Sequence, residues 1–291
     1  MGGTVATWGS VDDRESIAAV HAALDGGINL IDTAPIYGLG HSETVIGKAI
    51  QGRRADVVLA TKCGLLFPES DTELPPRCLK KDSILRECDA SLRRLGVDVI
   101  DLYQAHWPDP DTPLPETMDA FRSLLDAGKI RAVGLSNYSC EEIAAAREFG
   151  PVHCLQPPLS MIHLRATKDL LPFCIEHDMG VICYSPLAKG LLTGKFDKNS
   201  EFHGIRSRDP DFMGDRYRRH LALIEQLRPI ASRYGKTLTQ LVLRWTIDQP
   251  GVTTAICGAK LPSQVLDHAG AVGWTLSPED MDSINAIIGM N

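Results

Sequence analysis

A closed (β/α)8 barrel is the fold class this sequence predicts, on three observations. Seven short apolar runs read as strands and alternate with helix-like stretches, a pattern that implies parallel strands covered by helices. No Pro/Gly/Ser-rich linker or shift of composition divides the series, so residues 1–291 read as one domain. A doubly wound nucleotide-binding sheet would satisfy the same alternation, but it should carry GxGxxG after its first strand, and that motif is absent.

Residue Asp12 begins an amphipathic helix in which Ile17, Val20, Ala23 and Leu24 recur at helical spacing, and Gly26-Gly27 stops it. Residues 28–31 form the first clear strand, and Ser42 is the expected N-cap of a helix carrying Val45, Ile46 and Ala49 on one face. A second strand over 57–60 ends at Thr61-Lys62, and a helix follows over 81–95. Strand 99–103 runs to His106, helix 115–127 follows, and strand 130–135 ends at Ser136-Asn137. Then come helix 140–149, strand 152–155 ending at Gln156, helix 168–177, and strand 180–184 ending at Ser185-Pro186. Residues 190–214 read as a long charged loop, followed by helices over 215–234 and 237–248. Strand 253–257 and two short helices, 262–269 and 277–288, complete the chain.

Composition narrows the function classes. With 44% hydrophobic and 23% charged residues the chain reads as an ordinary globular protein rather than a disordered one. A net charge of −7 disfavours nucleic acid, whose phosphates require a basic face, and favours a small-molecule partner. The 8 cysteines are scattered without CxxC or His/Cys zinc spacing, so no metal site is expected and they read as reduced, small apolar residues. No signal peptide and no run of about 20 apolar residues is visible, so the expectation is a cytoplasmic protein without membrane contact.

In a parallel barrel the C-terminal ends of all strands open on one face. Asp32, Lys62, His106, Asn137, Gln156 and Ser185 would converge there, with Tyr37 just beyond. Taken singly, Asp32 is a turn residue, Lys62 a solvated cation, His106 a core histidine and Tyr37 an amphipathic plug. Taken together, they are complementary. An ammonium near a phenol favours phenolate and lowers its pKa, and Asp32 would hold Lys62 charged and in place. His106 would hydrogen-bond a substrate oxygen or share the tyrosine's proton. Such a set suits proton delivery to a carbonyl oxygen while hydride arrives at the carbon.

The stretches IDTAPIYGLGHSE, VVLATKCG, DLYQAHWPD, GKIRAVGLSNYS, YSPLAKGLLTGK and AICGAK, in that order, resemble the aldo-keto reductase superfamily from about residue 12 to the C-terminus. The resemblance implies a (β/α)8 barrel, an NAD(P)(H) cofactor held without a Rossmann fold, and Asp32, Tyr37, Lys62 and His106 as catalytic residues. It places Ser136, Asn137 and Gln156 at the nicotinamide carboxamide, with Tyr184 stacked on the ring. Ser185, Pro186, Leu187 and Lys195 would lie on the pyrophosphate side, and Gly258, Lys260 and Gln264 at the adenosine-phosphate end. The bland alternative makes Lys195 and the Arg206-Ser207-Arg208 segment a solvated charge run, and Arg206 and Arg208 are weaker candidates for the cofactor than residues 184–187.

Departures from the family pattern are instructive. Gln264 stands where many members have an arginine for the 2′-phosphate, and Asp267-His268 replaces a Glu-Asn pair, so NADP(H) is expected as preferred, with NAD(H) possible and Lys260 as the cation. The first strand and its N-terminal hairpin read as shortened or missing: either residues 3–8 fill the gap as a short strand or the native start lies upstream. The expected activity is reduction of an aldehyde or ketone to the alcohol. A cofactor-bound sensing protein with little turnover and a Schiff-base aldolase using Lys62 are the competing readings.

Overall fold

The computed structural model describes residues 12–70 and 73–290; the expected strand over residues 3–8 lies outside them. The strands are β1 Leu30–Asp32, β2 Val58–Cys63, β3 Ile100–Ala105, β4 Ile130–Ser136, β5 Cys154–Gln156, β6 Gly180–Tyr184 and β7 Thr254–Ile256. They pair in sequence order, every pair parallel, as one sheet of 7 strands that curls into a nearly closed barrel. Around it run α1 Asp13–Asp25, α2 His41–Ala49, α3 Lys81–Leu95, α4 Leu114–Asp126, α5 Cys140–Arg147, α6 Arg165–Lys168 and α7 Leu170–Glu176. Helices α8 Gly214–Arg233, α9 Leu238–Ile247, α10 Pro262–Ala269 and α11 Pro278–Ile288 complete the outer layer. The outer ring closes where α10 packs on α1, with Val265 buried beside Ala19 and Ala23.

Two cores arise from the period-two alternation of the strands. One set of strand residues, including Ile31, Leu59, Tyr103, Val133, Leu155, Val181 and Cys183, faces outward and packs under the helices. The opposite set, Leu30, Ala60, Leu102, Ala132, Cys154, Ile182 and Ile256, fills the barrel interior as an apolar plug. Two residues further along the same faces stand Asp32, Lys62, Gln104, Gly134, Gln156 and Tyr184. The barrel therefore changes from apolar to polar within one step of the pleat, towards the C-terminal ends of the strands.

Local signals explain most helix boundaries. Asp12 caps α1 by accepting from the Arg14 N–H at 2.8 Å, while Ser139 with Glu142 and Thr237 with Gln240 form capping boxes at α5 and α9. Ser42 is not the N-cap expected from the sequence. Gly40 takes that position at φ 92°, and Ser42 lies within α2 with its hydroxyl 2.9 Å from that of Thr33. Glycine is required there: a Cβ on Gly40 would sit 2.7 Å from Cδ of Arg94. The helix expected over 168–177 is broken at Asp169, whose carboxylate accepts from the Leu170 N–H at 2.7 Å and restarts the chain as α7. Among the described residues, no helix is long and apolar enough to cross a membrane.

The expected loop over 190–214 is built from short 3-10 turns, at Ala188–Thr193, Gly204–Arg208 and Pro210–Phe212. They fold over an aromatic cluster in which Phe202 meets Phe196, Phe212 and Tyr217 edge-on at 5.1, 4.8 and 5.2 Å. Asp211, nearly buried, fastens the segment by accepting from His163 at 2.7 Å, Arg216 at 2.7 Å and His220 at 3.2 Å. Charge counting alone hid this inner core.

Candidate active site

Asp32 is the last residue of β1 and Lys62 the penultimate residue of β2, so both point into the barrel mouth. Lys62 is wholly buried; its ammonium donates to Asp32 Oδ2 at 2.6 Å and to the Thr33 carbonyl at 2.8 Å. The turn after β1 brings the Tyr37 ring to 5.3 Å from the same ammonium, and His106, directly after β3, meets that ring edge-on at 5.9 Å. The four residues singled out from sequence thus share one site.

Burial sets the protonation states. It pulls Lys62 down, but Asp32 and Tyr37 outweigh it and the net shift is upward, so the lysine is a fixed cation rather than a neutral nucleophile. For Tyr37 the sequence expectation is reversed. Lys62 does lower its pKa, yet burial of the hydroxyl and, more weakly, Asp32 raise it further, and the phenol is held protonated. Burial and the Lys62 charge depress His106 to about 3, leaving a neutral imidazole at physiological pH. A charged His106 sharing the tyrosine's proton does not fit these surroundings; a neutral hydrogen-bonding imidazole does.

A ring of amides surrounds this centre. Asp32 Oδ1 accepts from Gln156 Nε2 at 2.9 Å and from Gln104 Nε2 at 3.4 Å, and Gln156 Nε2 also donates to Gln104 Oε1 at 3.3 Å. Ser136 Oγ donates to the Gln156 carbonyl at 2.9 Å. Asn137 sits at φ 66° and Ser185 at φ 57°, unusual for side-chain-bearing residues, and both directly follow strand ends. The Asn137 amide is engaged within the protein, donating to the His106 carbonyl at 3.0 Å and Ser136 Oγ at 3.1 Å and accepting from Tyr184 OH at 2.8 Å. Tyr184 is half-buried at the end of β6, where burial and the neighbouring Tyr37 raise its hydroxyl to about 12.

The sequence reading missed several supports. Gln104 went unnoticed because strand 99–103 was expected to end one residue before it, whereas β3 extends through Ala105. Thr33 supplies a backbone carbonyl, which side-chain chemistry does not announce. Glu43 is fully buried; it accepts from Thr61 Oγ at 2.7 Å and Arg94 Nε at 2.6 Å and so ties α2 and α3 to the strand that carries Lys62. The eight cysteines are free thiols, as the scattered spacing implied, and burial lifts Cys88, Cys154 and Cys183 to about 12.

Outside the relay, Pro186 and Leu187 are buried at the start of the 188–212 segment and Lys195 projects from it. Burial first, then the positive charges of Arg206 and Lys260, lower the Lys195 pKa, so the three cations form one basic cluster. Lys195 and Arg206 share the Phe196 ring at 4.9 and 5.6 Å, and Arg206 Nε donates to the Lys189 carbonyl at 2.9 Å. Arg206 therefore belongs beside Lys195 and not to a solvated run. Gly258 is exposed with open space where a Cβ would lie. Gln264 turns its Oε1 to the N–H groups of Lys260 at 2.8 Å and Leu261 at 3.3 Å, capping α10.

The family model "Aldo/keto reductase family" matches residues 1–289. Among curated proteins, aldo-keto reductase YhdN of Bacillus subtilis is 42% identical over 99% of this chain and 87% of its own length. An NADH-specific methylglyoxal reductase of Escherichia coli is 34% identical over 96% of this chain and 89% of its own. Among solved structures, a glycerol dehydrogenase of Gluconobacter oxydans superposes with a TM-score of 0.91 at 38% identity, covering 99% of this chain and 90% of that one. A family match across nearly the whole length, joined to a parallel barrel with Asp32, Tyr37, Lys62 and His106 at one mouth, leaves one conclusion: the chain belongs to the aldo/keto reductase family.

Proposed function

We propose that this chain, as a single barrel domain, reduces an aldehyde or ketone to the corresponding alcohol, using NAD(P)H as hydride donor and Tyr37 as general acid. The observation that carries the reading is the buried Lys62 ammonium, fixed by Asp32 and Thr33 and facing the Tyr37 ring at 5.3 Å. Reduced nicotinamide, when bound, supplies hydride to the carbonyl carbon. Tyr37 gives its hydroxyl proton to the carbonyl oxygen, and Lys62 stabilises the phenolate left behind. Burial suits this role because it keeps the phenol protonated beforehand. Neutral His106 donates a hydrogen bond that aligns the carbonyl oxygen with the phenol.

The residues fit such a cofactor. Ser136, Asn137, Gln156 and Tyr184 would hold the nicotinamide end, with Ser185, Pro186, Leu187 and Lys195 along the pyrophosphate. Gly258, Lys260 and Gln264 would border the adenosine end. The basic cluster of Lys195, Arg206 and Lys260 suits an anionic dinucleotide and supports NADP(H) as the preferred form. The absence of an arginine at Gln264, and the NADH-specific relative, support NAD(H) as also accepted.

A panel of aldehydes and ketones, assayed with NADPH and NADH at the absorbance of reduced nicotinamide, tests the reading. Turnover of at least one carbonyl is expected, and Tyr37→Phe should lose about 10² to 10⁴ in kcat while retaining cofactor binding. Undiminished turnover by Tyr37→Phe would overturn the assignment of the acid.

A further inference from the structure

Asp32 does two jobs with its two oxygens. Oδ2 anchors Lys62 at 2.6 Å, whereas Oδ1 accepts from Gln156 Nε2 at 2.9 Å and Gln104 Nε2 at 3.4 Å. A carboxylate only accepts, so it dictates which end of each amide faces it. Gln104 completes the arrangement, since its Oε1 takes a second bond from Gln156 Nε2 at 3.3 Å while its own Nε2 turns to Asp32. The nitrogen of Gln156 is held by both neighbours, and neither of them donates to its amide oxygen.

Gln104 is wholly buried, and its room is made by its register neighbour in β4. A Cβ on Gly134 would lie 2.7 Å from Gln104 Cγ and 3.1 Å from Gln104 Oε1. The row Lys62, Gln104, Gly134 runs across three paired strands, so the amide is seated on rigid scaffold rather than on a loop.

We infer that Gln104 is a positioning residue that, together with Asp32, orients the Gln156 amide so that its oxygen is presented to the nicotinamide carboxamide. Ring recognition and the Lys62–Tyr37 pair are thereby joined through one carboxylate. The inference rests on the proposed function, in which Gln156 meets the nicotinamide end.

The test compares binding of NADPH with that of 2′-phospho-ADP-ribose, which has every part of the cofactor except the nicotinamide ring. Gln104→Leu should weaken NADPH about fivefold to tenfold, the scale of one lost neutral hydrogen bond, and leave 2′-phospho-ADP-ribose unchanged. Gly134→Ala, which displaces the Gln104 side chain without removing it, should give the same selective loss if Gln104→Leu fails to fold. In a Gln156→Leu background, Gln104→Leu should cost no further NADPH affinity. Equal weakening of both ligands, or no weakening of either, overturns the inference. A wild-type protein that binds neither ligand overturns the proposed function as well, so the two failures are distinguishable.

Discussion

The proton relay and the basic cluster lie on one barrel mouth yet are built in opposite ways. The relay stands on strand ends, in a buried setting where every charge has a fixed partner: Lys62 is wholly buried and holds Asp32 at 2.6 Å. The cluster of Lys195, Arg206 and Lys260 stands largely on loops, its like charges facing one another and its Lys195 side chain exposed. Chemistry that needs a set pKa and a fixed distance requires the dry, rigid site, whereas holding a flexible polyanion requires charge that can adapt. The amides of Gln104 and Gln156 belong to the first region, both held on Asp32 Oδ1.

The contrast is broken most directly at Lys62. Lys62→Met should remove turnover to the same degree as loss of the acid and leave Asp32 buried without its cation, lowering unfolding free energy by about 3–5 kcal/mol. Denaturant titration beside a turnover assay reads both, and a variant as stable as wild type would show that the pair is not a buried one.

His106 probes the same dry region through pH. Its folded pKa of about 3 lies below the ordinary 6.5, so below pH 6.5 the unfolded chain takes up a proton that the folded chain refuses. That contribution to stability is complete above pH 6.5 and declines as pH falls towards 3. His106→Gln should lose this slope, so that the difference from wild type shifts by a few kcal/mol, on the order of the linkage scale, across the window. Parallel stability curves for the two proteins would contradict the buried neutral imidazole.

The smallest expected effect belongs to the loop. Lys195→Gln should change stability by less than about 0.5 kcal/mol, as for most exposed positions. Cofactor affinity should fall, its dependence on salt should flatten, and kcat at saturating cofactor should persist. A loss of kcat equal to the loss of affinity would erase the distinction between the two regions.

Much of the relay was legible because period-two strands must deliver their last inward residues to a common mouth. Asp32, Lys62 and Gln156 could therefore be named from the places where apolar runs stopped, whereas Tyr184 came from the family resemblance. Gln104 was lost by a strand expected to end too early, and Glu43 by lying in a helix whose cap was assigned to Ser42 instead of Gly40. The 190–214 segment looked like a charged loop because its aromatic residues are spaced too irregularly to signal a core.

The sequence by itself determined the alternation, the barrel class and the residues gathered at its mouth, since these follow from local periodicity and from the order of strands. Only the tertiary structure decided their electrostatic balance. Whether Lys62 or burial governs Tyr37, which oxygen of Asp32 serves which partner, and which amide orients Gln156 depend on distances between strands remote in sequence. Desolvation, the effect that keeps Tyr37 protonated and His106 neutral, exists only once the barrel has formed around them.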